Sequence, residues 1–405
     1  MPRPDSQRLN LITLFFTLIV VMMGFGMVIP ILPFYVESMG ASGSALGLLM
    51  ATYAVMQFIF APIWGQLSDR YGRRPILLLG VLGNAIAQVL LGLSNQVWML
   101  FVARALAGIL SSATLPTAMA YIGDSTAERD RGAGMGLIGA AMGIGMVLGP
   151  GLGGLFAASS LSLPFYIAGG LSVLALVLIY IILPESLPAD RRIAQGRLRG
   201  PQVAEMWSAL FSPIGVLLVL AFVVSFGLTN FEGVFGLYVL EKFDYGPQRV
   251  GVILMVIGLV SAVVQMGLTG PLTRRFGETW VIRATLVISA VGFVLMTQAR
   301  GFVAVLLTSG FFVFGNAMLR PAISSLTSRR ASGGQGVAMG LNNAFMSLGR
   351  IAGPSWAGFA FDRNMELPYL SGALVMLVAL GVSVFWLVAD HPGEQAQVFQ
   401  DVSSS

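Results

Sequence analysis

Among its 405 residues the chain has no cysteine, one histidine and one lysine. Without cysteine, disulfides and thiolate chemistry are excluded. The histidine, His391, lies in the C-terminal tail, which argues against a His-based triad or a zinc site. A single lysine, Lys242, leaves little room for Schiff-base chemistry. No Gly-x-x-x-x-Gly-Lys-Ser/Thr sequence is present to cradle a nucleotide, so work driven directly by ATP is not encoded. No ligand cluster suits a metal, and no cofactor is expected. Charge is scarce too: 10% of residues are Asp, Glu, Lys or Arg, against roughly a quarter in a soluble domain. The net charge of +5 is too thinly scattered to form a nucleic-acid-binding face.

What the chain has is apolar length. It is 56% hydrophobic, with a mean hydropathy of +0.84. Such a chain cannot cover its own surface in water, so a lipid bilayer is the expected solvent. A helix needs about 20 apolar residues to cross a bilayer. Segments of that kind run over 11–36, 45–66, 76–94, 97–122, 134–157, 163–183, 212–239, 250–270, 280–298, 302–326, 336–360 and 368–389. The first is too long for a signal-peptide core and has no small-residue cleavage site behind it, so a retained span is expected. A closed barrel would show alternating segments of about 10 residues instead. The expected class is an all-α membrane protein of twelve transmembrane helices.

Cations orient it. With the N-terminus inside, the inner segments hold Arg3, Arg8, Arg70, Arg73, Arg74, Arg129, Arg131, Arg191, Arg192, Arg197, Arg199, Arg274, Arg275, Arg283, Arg329 and Arg330. The outer segments hold only Lys242, Arg249, Arg300 and Arg363. The positive-inside rule therefore puts both termini in the cytoplasm. A basic, Pro- and Gly-containing stretch at 185–208 separates residues 1–184 from 209–405 and reads as a linker between two six-helix bundles.

The bundles repeat each other. Gly65-x-x-x-Asp69-Arg70-x-Gly72-Arg73-Arg74 follows the second apolar segment, and Gly270-x-x-x-Arg274-Arg275-x-Gly277 follows the eighth. Gly145-x-x-x-Gly149-Pro150-x-x-Gly153-Gly154 lies in the fifth, and Gly349-Arg350-x-x-Gly353-Pro354 in the eleventh. Two related halves produce that arrangement.

These motifs resemble the major facilitator superfamily. The Gly65–Arg74 segment is similar to its best-known signature, and Gly149-Pro150-x-x-Gly153-Gly154 to the antiporter signature of the twelve-helix drug:proton antiporters. Further segments resemble the NorA/Bmr group of multidrug exporters: Ser225-Phe-Gly-Leu-x-x-Phe231-Glu232, Leu319-Arg320-Pro321-Ala322-Ile323, Gly340-Leu-Asn342, and Gly24-x-Gly26-x-Val28-Ile29-Pro30 in the first span. The resemblance covers about residues 11 to 389. It implies a major facilitator fold of two pseudo-symmetric bundles in the cell inner membrane, working within one chain as a monomer. Two departures stand out. The group's tenth-helix aspartate corresponds to Ala317, with Asn316 beside it, which speaks against a two-carboxylate proton site. The intramembrane aspartates of the tetracycline exporters correspond to Val21 and Ala87, which speaks against tetracycline–metal exchange.

Of the 18 acids, only Glu232 lies well inside an apolar segment. Burying an unpaired carboxylate is costly, and an ionisable group within a span marks a proton route by default. The resemblance points to the same residue. Arg104, Arg320 and Arg350 are cations within spans. Arg104 resembles the family's fourth-helix arginine of proton transfer, and Arg320 is an expected electrostatic partner of Glu232. By the same resemblance, Asp69, Arg70, Arg73 and Arg74 form a cytoplasmic loop that latches against neighbouring helix ends, with Asp124 as partner of Arg73. The small residues of the fifth span are expected to give a thin, bent helix that slides tightly against its neighbours.

A substrate pocket near mid-membrane would draw on Phe25, Tyr53, Gln57, Met119, Met142, Phe231, Phe235, Phe314, Asn316, Asn342 and Phe345. Flexible Met and aromatic faces suit small amphipathic or cationic substrates of varied shape. The expected activity is proton-coupled export of such drug-like compounds. An exporter of one endogenous metabolite or lipid-linked molecule is the alternative, and a non-transporting sensor a remote one.

Overall fold

The computed structural model describes residues 4–126, 131–193, 200–331 and 334–387. Of the residues named above, Arg3, Arg129, Arg197, Arg199 and His391 lie outside it, as do the side chains of Arg8 and Arg131. Among the described residues all regular structure is helical. The long elements are α1 (Pro4–Ser38), α2 (Gly43–Tyr71), α3 (Arg73–Leu93), α4 (Val97–Leu110), α5 (Thr114–Ser125), α6 (Arg131–Ala157) and α7 (Leu163–Ile182). After a short α8 (Val203–Ala209) come α9 (Gly215–Phe243), α10 (Pro247–Val263), α11 (Thr269–Phe276), α12 (Glu278–Gln298), α13 (Phe302–Arg329), α14 (Gln335–Phe361) and α15 (Leu367–Trp386).

Two of the expected spans are interrupted rods. α4 and α5 are joined by a 3₁₀ turn, Ser111–Ala113. Pro116, in the first turn of α5, has no N–H to offer the carbonyl four residues back, and Ser111 Oγ bonds Ala107 O at 2.6 Å. α10 and α11 are joined by a π turn, Val264–Leu268, where Thr269 Oγ1 reaches Val264 O at 3.0 Å just before Pro271.

Among the described residues, eleven rods are long and apolar enough to cross a membrane. α14, the counterpart of the expected span 336–360, has the length: 27 residues rise about 40 Å. It falls short in hydropathy because Gln335, Asn342, Asn343 and Arg350 interrupt its apolar run. The outward faces fit lipid. On α3, Leu79, Leu82, Ile86, Val89 and Leu93 form an exposed apolar stripe at helical spacing, while Leu77, Val81, Ala85 and Leu91 are buried.

Contacts divide the chain into two compact units. One holds Met1–Gln202 with Val234–Met255, and the other Val203–Gly233 with Val256–Ser405. The first is centred on Leu14, Leu18, Leu77, Val81, Tyr121, Ile138 and Ile179, from α1, α3, α5, α6 and α7. The second is aromatic at heart. Phe293 lies 4.3 Å from Phe312, which lies 5.3 Å from Phe231. Glycine makes the room: a Cβ on Gly292 would stand 2.7 Å from the Phe312 backbone.

Candidate functional site

α2 stops at Gly72, whose φ of 104° favours glycine and whose N–H bonds Ser68 O. α3 starts at the next residue. Asp69 and Arg70 therefore belong to the last turn of α2, while Arg73 and Arg74 open α3, so the expected loop is one glycine long. The helical framing makes contacts that a loop would not hold. Arg73 Nη1 meets Asp69 Oδ1 at 2.6 Å and Ser68 Oγ at 2.6 Å, and its Nε meets Asp124 Oδ2 at 2.9 Å. The side chain of Arg73 is only 9% exposed. Arg74 bonds the carbonyl of Tyr180 near the end of α7. Arg70 is half-buried and makes no ion pair among the described residues.

Sequence reasoning missed Glu185. Its carboxylate accepts from the N–H groups of Arg73 (2.8 Å), Arg74 (3.2 Å) and Leu187 (3.0 Å). It thus caps the N-terminus of α3, where free N–H groups and the helix dipole favour a negative charge. The supposed linker is accordingly fastened here, and Ile193 N bonds Asp69 O at 3.1 Å.

In the other unit Gly277 (φ 81°) separates α11 from α12 in the same way. Glu278 opens α12. Its Oε2 accepts from Arg329 Nη1 at 2.9 Å, and its Oε1 from Ser325 Oγ at 3.1 Å. Arg283 Nη2 bonds Ser383 O (2.9 Å) and Leu387 O (2.7 Å) at the end of α15.

Glu232, on α9, is half-buried and makes no hydrogen bond or ion pair among the described residues. The cation that acts on it electrostatically is Arg350 of α14, not the expected Arg320. Arg320 is exposed and forms no ion pair among the described residues. The reason is how α9 and α14 cross. Thr229 Oγ1 bonds Gly349 O at 3.2 Å, and a Cβ on Gly353 would stand 2.7 Å from Phe226 O. Gly233 would meet Pro354 at 3.1 Å. That seam flanks Arg350, whose charge acts on the carboxylate. No sequence spacing could have revealed this electrostatic influence, because it depends on a crossing between distant helices.

Gly145, Gly149 and Gly153 of α6 form a comparable seam with α1. Added Cβ atoms would meet Met22 (2.6 Å), Met23 O (2.7 Å) and the Met27 backbone (3.0 Å). Pro150 packs on Gly26, and Gly154 faces Gly251 of α10 at 2.9 Å. Gly139 and Gly143 meet nothing within 4 Å, so the thin face begins only at Gly145.

The profile of the Major Facilitator Superfamily matches residues 14–354 and 217–402. The chain belongs to the major facilitator superfamily. It is a multi-pass membrane transporter, not an enzyme. Multidrug resistance protein 2 of Bacillus subtilis is 32% identical over 384 residues, covering 94% of this chain and 96% of that protein. Quinolone resistance protein NorA of Staphylococcus aureus is 30% identical over 381 residues, covering 94% and 95%. Among solved superfamily folds, an inward-facing bacterial homologue of the human lysosomal transporter Spinster superposes with a TM-score of 0.76. It is 14% identical, and the match covers 95% of this chain and 96% of that one. The human organic anion transporter MFSD10 gives 0.67 at 23% identity, covering 94% and 100%.

Against that superfamily frame, the expected pocket residues separate. Phe25, Tyr53 and Gln57 gather with Arg104 in the first unit. The Phe25 and Tyr53 rings are 5.4 Å apart, Gln57 Nε2 reaches Tyr53 Oη at 3.4 Å, and the Arg104 guanidinium lies 4.6 Å from the Tyr53 ring centre. Met142 packs against the apolar core, and Met119 is 40% exposed. In the second unit Asn342 is fully buried, with Nδ2 on Ser324 Oγ at 3.2 Å and Oδ1 without a partner. Asn316 is buried with its Nδ2 unsatisfied. Phe345 is buried and Phe314 half-buried. Phe231 belongs to the aromatic core, and Phe235 is buried.

Proposed function

We propose that this transporter exports amphipathic drug-like compounds in exchange for protons, by alternating access. The observation that carries the reading is Glu232: a carboxylate inside an apolar span, half-buried, without hydrogen bond or ion pair among the described residues. An intramembrane acid of that kind can hold a proton on one side and release it on the other. Arg350 supplies the cation that acts on it. The relatives named for multidrug and quinolone resistance support drugs as cargo.

In this reading the bundles 1–184 and 209–405 rock about the substrate. Glu232 loads a proton from outside and releases it to the cytoplasm, and cargo binds the deprotonated, inward-open state. Arg104 and Arg320 assist charge movement. The Asp69–Arg73–Asp124 cluster latches one state, and the α6 glycines give a leak-tight sliding contact.

The test is proton release from acid-loaded proteoliposomes on adding cationic dyes and quinolones. Wild type should release protons with many compounds. Glu232→Gln should insert normally and release none. Normal release by that variant removes Glu232 from the mechanism, and no release from wild type removes proton exchange.

A further inference from the structure

The two junctions differ in how much of their exposed charge is used. Gly65–Gly72 and Gly270–Gly277 align, so Asp69 corresponds to Arg274, Arg70 to Arg275 and Tyr71 to Phe276. Asp69 is paired with Arg73. Arg274 and Arg275 are both exposed and join no ion pair among the described residues. Arg274 bonds the carbonyl of Gly270, one turn back, at 3.3 Å. Glu278 is the only acid between Asp244 and Asp362, and its oxygens are held by Arg329 and Ser325. Two guanidinium groups are therefore left here without a carboxylate.

Orienting a chain needs positive charge, but not the arrangement found around it here. The Arg275 guanidinium lies 5.4 Å from the centre of the Phe276 ring, and that ring stacks on Trp280 at 4.8 Å and 28°. Three flat groups form one column, with Phe276 42% and Trp280 53% exposed. In the first half Pro75 stands where Trp280 does, so the column has no counterpart there. The position of the column says what covers it. The membrane-spanning runs Pro247–Phe276 and Glu278–Gln298 are separated by Gly277 alone. Trp280 is three residues past that turn, about 5 Å along α12. The column therefore lies where hydrocarbon gives way to headgroups, the depth that suits a Trp ring. An arginine at that depth meets phosphate oxygens, which its planar fork matches. A headgroup with net negative charge is drawn to an unpaired arginine pair. A soluble phosphate would use the cations and leave the rings bare.

We propose that Arg274, Arg275, Phe276 and Trp280 form a binding site for an anionic phospholipid. The lipid phosphate sits on the arginines, and its glycerol and upper acyl chain lie on the ring column. The site does not depend on what the transporter carries.

The experiment is native mass spectrometry of the full-length protein, delipidated in detergent and titrated with phosphatidylglycerol or with phosphatidylcholine of the same acyl chains. Wild type should bind the first phosphatidylglycerol about 25-fold more tightly, roughly a fivefold factor for each arginine beside an anionic headgroup. Arg274→Ala and Arg275→Ala should each cut that preference about fivefold, and the double variant should bring it near unity. Arg300→Ala removes the same charge just beyond the other end of α12 and should leave the preference unchanged. Trp280→Ala should weaken both lipids alike, because the ring meets the part that the two share, and Trp280→Phe should retain both. Thermal unfolding without lipid shows which variants are folded. If Arg275→Ala is not, Arg275→Gln takes its place. A wild-type preference near unity overturns the proposal. Equal losses in Arg275→Ala and Arg300→Ala reduce the effect to net charge and also overturn it. So does full displacement of the lipid by glycerol phosphate at equal concentration, or a lipid-free dimer that Arg275→Ala abolishes.

Discussion

In the first half of the chain Arg73 opens α3 and pairs with Asp124 at the end of α5. In the second half Glu278 opens α12 and pairs with Arg329 at the end of α13. Asp124 and Arg329 each fall 59 residues beyond their motif glycines, Gly65 and Gly270. Asp69 likewise corresponds to Arg274. The same junction is thus built twice with the signs of three positions reversed. What the junction needs is opposite charge across two helix ends, not a particular sign at either. Arg70 and Arg74 in one half, and Arg275 and Arg330 in the other, keep positive charge at both junctions.

The reversal has a local cost that the structure also shows. A cation at a helix N-terminus opposes the dipole, whereas a carboxylate there is favoured. Glu278 satisfies its own helix. Arg73 does not, and Glu185 supplies the missing negative charge. Burial differs as well: the Arg73 side chain is 9% exposed and that of Arg329 47%.

The largest effect should come from removing the buried cation. Arg73→Ala leaves Asp69, Asp124 and Glu185 together without it, and breaking a buried pair costs about 3–5 kcal/mol. Glu278→Ala leaves Arg329 half in water and one lost hydrogen bond to Ser325, a cost of about 1–2 kcal/mol. Thermal unfolding of the two variants in detergent, side by side, checks this. Equal shifts would erase the distinction between the two junctions.

Glu185→Ala should come next, at about 2 kcal/mol, because a charged acceptor of three N–H groups disappears from one junction only. Glu185→Gln keeps an oxygen and should cost less. Hydrogen exchange at the amides of Arg73, Arg74 and Leu187 is the direct readout. Unchanged protection in Glu185→Ala would mean that the cap does not hold the helix end.

How much of this could be read beforehand follows from the kind of signal. Apolar length gave twelve expected segments, eleven of which are rods long and apolar enough to span among the described residues, because length and hydropathy are properties of the chain taken in order. α14 also showed as a segment, although its polar residues hold its hydropathy down. Glu232 stood out because an acid in an apolar run is visible without neighbours. The electrostatic influence of Arg350 on it was not visible, since that depends on the glycine seam where α9 and α14 cross. The Glu278–Arg329 pair escaped for another reason. A motif search matches residue types, and here the repeat preserves position and complementarity while exchanging the types. Glu185 sat in what composition alone describes as a linker. The glycine run of α6 was legible as a thin face, but only the packing shows that Gly139 and Gly143 lie outside it.

The smallest effect tests whether sign is interchangeable. Glu278→Arg alone sets two cations together and places one at the N-terminus of α12. Adding Arg329→Glu restores opposite charge, with the polarity native to the other half. The restored pair should recover all but the dipole contribution, about 0.3–1 kcal/mol. The same exchange at Arg73 and Asp124 should recover much less. A glutamate at 73 would face Asp69 and Glu185, and Glu185 keeps its place through the N–H groups of Arg74 and Leu187. Unfolding temperatures of the four single and two double variants give the two coupling energies. Recovery in the second half and not in the first is the expected pattern. Equal recovery would show that Asp69 and Glu185 are spectators, and that the reversal between the halves carries no local cost.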